Sequence, residues 1–194
     1  RIECRETNVV IRSLTPNGNN ALKFLAEEFS TEVLVDKKSN LRIVLSYQTP
    51  TERFDQLENG YDEESRLLET TPIDCLRKIA NAFIKEGNNP YSIFLGGLFS
   101  FDFIASFEQL DELAYAENDC ADFVFYLAEE VIVYDHQTQV SQVHSNVFSG
   151  EDYQNNYYEQ SRRIATINEQ VLLSSDNKEN NHNQIDIDGG STVD

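Results

Sequence analysis

The chain has 194 residues, 40% of them hydrophobic, and a formal net charge of −19. That length suits one good-sized domain or slightly more, with a diluted core. A surface this acidic repels phosphate backbones and anionic lipid headgroups, so neither nucleic acid nor a membrane is expected as a main partner.

The first 14 residues read as two short strands broken at Glu6-Thr7-Asn8. Pro16-Asn17-Gly18-Asn19 is a turn signal. Ala21 to Phe29 then has helical spacing in Leu22, Leu25, Ala26 and Phe29, with Asn19 or Asn20 as the expected N-cap. Val33-Leu34-Val35 and Leu41 to Leu45 are β-branched runs that predict a hairpin. From Gln48 to Glu69 the pattern lapses into an acidic surface loop with room for a short helix near Glu64 to Leu68. Its carboxylates lack the alternation and the turn glycine of a calcium loop.

Thr71-Pro72-Ile73-Asp74 is a helix start, with Thr71 as cap, Pro72 in the first turn and Asp74 offering a carboxylate to free N–H groups. Ile73, Leu76, Ile79, Ala80, Phe83 and Ile84 form its apolar face, and Gly87 its stop. Ser92 to Gln137 follows, the most hydrophobic stretch and the expected centre of the domain. Ile93-Phe94-Leu95 reads as a buried strand, and Phe103 to Phe107 is open to a helical turn. Phe123 to Ala128 and Val131 to Tyr134 read as one long, nearly continuous strand. Gln139 to Phe148 alternates again and predicts an antiparallel return through Asp135 to Thr138. Asp152 to Leu173 has helical composition, and the Asn-rich acidic residues after Ser174 read as a linker.

No run approaches the roughly 20 apolar residues that span a bilayer. No signal peptide opens the chain. Cys4, Cys75 and Cys120 are too far apart for a zinc site and fit reduced thiols in a cytoplasmic protein. Position 1 is Arg and the chain contains no Met, which is read as an internal point of a longer protein.

Candidate chemistry is thin. Gly96-Gly97 lacks the Lys-Ser/Thr of a phosphate loop and the third glycine of a dinucleotide fingerprint, so close backbone packing in a sheet is the expected role. Asp102, among Phe99, Phe101 and Phe103, has the apolar surroundings that raise a carboxyl pKa toward general-base use; capping a helical turn or pairing with an arginine is the ordinary alternative. Glu129 and Glu130 are neighbours on a strand and face opposite sides, which excludes a shared-proton dyad and puts one at a bulge or edge. His136 and His144 could meet across a hairpin, but no third metal ligand is evident. Negative neighbours make Cys120 a poor nucleophile.

The run from Phe94 to Asp102, with Phe107-Glu108-Gln109-Leu110, Ala116 to Cys120, Asp122 to Glu129 and Asp135-His136-Gln137, resembles a block near the end of the N-terminal domain of anthranilate synthase component I. Weaker similarity extends from about Arg1 to about Leu173. The resemblance implies an α/β fold of α+β type, a sandwich of antiparallel sheets with helices outside. It divides the chain into residues 1–174, an N-terminally incomplete regulatory domain, and a linker, 175–194, toward a missing chorismate-binding domain. It implies a lyase in the first step of tryptophan biosynthesis that converts chorismate and ammonia, released from glutamine by an amidotransferase subunit, to anthranilate and pyruvate. It further implies Mg²⁺ and feedback inhibition by tryptophan. The chorismate and Mg²⁺ motifs of that family would lie beyond Asp194, and the main tryptophan-binding element before Arg1. No catalytic, tryptophan-binding or metal residue is therefore carried over, and Gly96, Gly97, Phe99 and Asp102 are carried over as a structural motif. A non-catalytic module of the same fold and the large component of aminodeoxychorismate synthase are the alternatives.

Overall fold

The computed structural model describes residues 1–35, 40–48, 70–83, 91, 93–106 and 120–182; for 105–106 and 172–182 only the backbone is described. The long acidic loop, the glycine stop at residue 87, the segment 107–119 and most of the proposed linker lie outside these residues.

Six strands form one antiparallel sheet: β1 (Ile2–Arg5), β2 (Asn8–Arg12), β3 (Leu34–Val35), β4 (Leu41–Ser46), β5 (Leu95–Phe99) and β6 (Phe123–Leu127), in the spatial order β3-β4-β2-β1-β6-β5. β7 (Glu130–Asp135) and β8 (Val140–Ser145) form a separate hairpin. Three α-helices are described: α1 (Pro16–Glu28), α2 (Pro72–Phe83) and α3 (Tyr153–His182), with a short 3₁₀ helix at Phe101–Ser106. The architecture is α+β with antiparallel sheets, as expected.

Strand alternation builds the core. Register sets Ile43, Ile11, Ile2 and Phe125 in one cross-strand row and Leu45, Val9, Cys4 and Phe123 in the next. Against this face α1 places Leu22, Leu25 and Ala26, and α2 places Cys75, Leu76, Ile79 and Ala82. The opposite face carries Val44, Val10, Glu3, Val124 and Leu98 in one row, none of them fully buried. α3 packs along β8 and touches α1.

The sheet corrects three expectations. α1 begins at Pro16, with Thr15 as its N-cap accepting from the Gly18 N–H, so the Pro-Asn-Gly-Asn signal is the first turn of a helix. Proline at N1 has no N–H to lose, which reconciles a turn signature with a helix start. Second, β6 and β7 are not one strand: the chain breaks at Ala128-Glu129 and changes sheet. Third, the strand in the glycine-phenylalanine block starts at Leu95 and pairs only with β6 among the described strands. It is a sheet edge, and Phe94 (50%), Leu98 (64%) and Phe101 (91%) are exposed. The hydrophobic centre lies instead on β1, β2, β6 and the two helices. α3 also runs on through Ser174 to His182.

The start of α2 is as expected, with Asp74 accepting a backbone N–H. The Thr71 N–H and hydroxyl both donate to Asp74 Oδ2, at 2.8 and 3.0 Å, so the carboxylate serves the cap residue itself. Burial disfavours the charged Asp74, but these donors and the Arg77 guanidinium at 2.5 Å outweigh it and lower its pKa.

Candidate functional site

At the end of the sheet where β1 begins and β2 and β6 end, a cavity of about 370 Å³ opens between the strands and α1. Its floor is apolar, formed by Ile2, Ile11, Leu22, Leu25, Ile79 and Phe148. Its rim carries Glu129, Glu130 and Arg163, and the chain at Arg1 and Arg12 closes the strand side.

Glu129 organises this rim, and the break between β6 and β7 puts it there. Thr15 Oγ1 donates to Glu129 Oε1. Asn17 Nδ2 donates to Oε2 at 3.1 Å, and Gln160 Nε2 to the same oxygen at 3.3 Å. One carboxylate thus holds the first turn of α1, the β6–β7 break and α3. Around it the polar groups are mutually satisfied. Asn17 Nδ2 also donates to the Asn146 carbonyl at 2.8 Å, and Asn17 Oδ1 accepts from the Phe148 N–H at 2.9 Å. Asn20 Nδ2 reaches the Glu151 carbonyl at 2.9 Å, and Ser145 Oγ donates to Gln160 Oε1 at 2.8 Å. Asn17, Asn20 and Gln160 are buried, and burial without partners would be costly. Glu130 leaves on the other side and forms an ion pair with Arg163 Nε at 2.6 Å. Only Glu130 lies on a strand, and Glu129 sits in the break between β6 and β7 rather than mid-strand at a bulge or edge as expected.

The arrangement is a joint with an apolar cavity behind it. Glu129 already accepts three hydrogen bonds from neutral donors. Among the described residues no three His, Cys, Asp or Glu stand together as a metal site, so the Mg²⁺ implied by the resemblance finds no ligand set there.

The residues singled out by sequence lie elsewhere. A Cβ on Gly97 would fall 2.2 Å from the Val124 carbonyl oxygen, so β6 comes too close for any side chain there; on Gly96 it would meet only the Phe94 ring, at 2.9 Å. Phe99 stacks on Phe103 with centroids 5.3 Å apart and meets Phe125 edge-on at 5.0 Å, which holds the corner where β5 turns into the 3₁₀ helix. Asp102 is exposed in the first turn of that helix. His136 sits in the β7–β8 turn against Tyr134, while His144 pairs with Val131 and lies against Tyr91; the two do not meet. Cys4 and Cys75 are buried and Cys120 exposed, all three as free thiols. Burial pushes both buried thiols up to about 12. Burial also raises the Asp122 carboxyl, although its Oδ2 accepts the Glu6 N–H at 2.5 Å.

Sequence reasoning missed Thr15, Asn17, Asn20 and Gln160. An Asn-rich first turn followed by buried apolar residues is the available signal.

No family model matches the chain. Curated proteins do. It is 33% identical over 177 residues, 90% of its length, to anthranilate synthase component 1 of Vibrio cholerae. To the same protein of Vibrio parahaemolyticus it is 37% identical over 148 residues, and to that of Escherichia coli 32% over 169. The chain is homologous to the N-terminal region of anthranilate synthase component 1. It spans 32% of the length of the Vibrio cholerae protein, 26% of the Vibrio parahaemolyticus protein and 30% of the Escherichia coli protein. No helix among the described residues is long and apolar enough to cross a membrane.

Proposed function

We propose that this chain is the N-terminal scaffold portion of an anthranilate synthase component 1, and that chemistry belongs to the two-thirds of such a protein that the chain does not span. The carrying observation is the identity over 90% of the chain to a protein three times as long. The site supports this reading: its one central carboxylate is fully engaged in holding elements together. The parent would convert chorismate and ammonia to anthranilate and pyruvate with Mg²⁺, the ammonia coming from a glutamine amidotransferase subunit, in the cytoplasm, under feedback by tryptophan. The role of this chain's own residues is to build one half-covered sheet. The β6–β5 part of its free face, with Val124 and Leu98, is the natural seat for the rest of the polypeptide, because a sheet gains stability by burying both faces.

Two measurements test this. The adjoining coding sequence is expected to contain the remainder of an anthranilate synthase component 1; a stop codon directly after residue 194 would overturn the reading and favour a stand-alone module. The chain alone, given chorismate, ammonium and Mg²⁺, is expected to form no anthranilate by fluorescence. Measurable product would show that the chemistry has been assigned to the wrong part.

A further inference from the structure

The register of β2 and β4 sets Arg12 directly opposite Arg42. Both side chains lie on the face of the sheet turned away from α1 and α2, because their neighbours Ile11 and Ile43 point into the core. Like charges directly opposite one another oppose strand pairing, so this pair calls for a counter-charge. None is found among the described residues. Neither guanidinium has an ion-pair or hydrogen-bond partner there, and the Nε of each is shielded from solvent and unpaired. The nearest carboxylate in the adjoining row, Glu3, is taken: Oε2 pairs with Arg1 at 2.7 Å and Oε1 with Arg5 at 2.9 Å. This occurs in a chain with 34 acidic side chains against 15 basic ones, where most guanidiniums should find a carboxylate easily.

We propose that Arg12 and Arg42 form a binding site for a phosphate group on the outer face of the sheet. Adjacent strands lie about 4.8 Å apart, so one tetrahedral group reaches both guanidiniums. A phosphate dianion neutralises both charges, whereas a monocarboxylate leaves one. Guanidinium forks match phosphate oxygens in geometry as well as charge. The flanking Val10 and Val44, also directly opposed, give the site an apolar border that limits competition from water. The acidic remainder of the surface accounts for selectivity against nucleic acid, leaving a small phosphate compound as the ligand. The site is independent of the parent activity proposed above.

The test is thermal unfolding and calorimetric titration of the whole chain with inorganic phosphate and with glycerol 2-phosphate, at ionic strength held constant with chloride. Phosphate at about twenty times its Kd is expected to raise Tm by roughly 4 °C. Arg12→Gln and Arg42→Gln should each weaken binding at least about tenfold. Arg5→Gln, on the same face but paired to Glu3, should leave it unchanged. Response to inorganic phosphate alone identifies a free-anion site, and a stronger response to glycerol 2-phosphate a monoester site. The proposal is overturned if chloride reproduces the shift, if neither phosphate binds, or if Arg12→Gln binds as the parent chain does.

Discussion

Thr15 and Glu129, 114 residues apart, share a hydrogen bond in which the Thr15 hydroxyl donates to the carboxylate. The same threonine caps α1 by accepting from the Gly18 N–H at 2.8 Å. A helix start and a strand break are therefore one structural unit, with Asn17 and Gln160 completing it.

Glu129→Ala removes the acceptor for three donors in a half-buried setting. Leaving them unpaired is expected to cost about 2–4 kcal/mol, a fall in Tm of roughly 5–12 °C for a chain of this size. Glu129→Gln retains part of the acceptor set and should cost about half as much. Glu130→Gln, which breaks only the partly exposed pair with Arg163, should cost under about 1 kcal/mol. Urea denaturation of the three variants checks the order, and equal losses at Glu129 and Glu130 would refute the joint.

Gly97→Ala places a Cβ against backbone, at 2.2 Å from the Val124 oxygen and 2.7 Å from Phe125 Cα. Backbone cannot rotate away, so β5 must separate from β6 at a cost of about 3 kcal/mol. Gly96→Ala meets only a ring that can turn, and should change stability by less than about 1 kcal/mol. Thermal melts of the two alanine variants should differ by several degrees; matching melts would contradict the register.

The thiols should separate by reactivity. Cys120, exposed though a weak nucleophile, is expected to be the thiol that a reagent reaches on the native chain, and Cys4 and Cys75 react only at the rate of unfolding. Two or more fast thiols would be inconsistent with this core. The same burial has an alkaline consequence. Both folded pKa values rise from 9.0 to about 12, so this contribution to stability is complete below pH 9 and is lost as pH climbs toward 12. The slope approaches about 1.4 kcal/mol per pH unit for each thiol, and Cys75→Ala should reduce it in denaturation curves taken at successive pH values.

Asp74 acts at the other end of the pH scale. Its folded pKa lies below the ordinary aspartate value of 3.8, so its contribution is present above that value and disappears as pH falls through the folded pKa. Asp74→Asn should lower stability at pH 7 and leave it nearly unchanged at pH 2. A constant difference at both pH values would remove the carboxylate from the helix start.

The helix from Pro72 was legible because its determinants are local: a threonine, a proline and an aspartate within four residues, then apolar spacing that coincides with burial. The first strand pair, the hairpin turn through Asp135 to Thr138 and the packing role of Gly97 were legible for the same reason. The first turn of α1 was misread because Pro-Asn-Gly-Asn suits a turn and a capped helix alike. What favours the helix is the acceptor that Asn17 finds at Glu129 and the Asn146 carbonyl.

The sequence by itself determined the antiparallel α+β class, the second helix and, through the run from Phe94 to Gln137, the relationship to anthranilate synthase component 1. Only the tertiary structure decided where that run sits. Hydrophobicity states that Phe94, Leu98 and Phe101 favour burial, but strand order decides which strands have two neighbours, and among the described strands β5 has one. The roles of Glu129 and of the Arg12–Arg42 pair follow the same logic. A hydrogen-bond partner more than a hundred residues away and a like charge across a strand are properties of register, and register is set by the whole sheet.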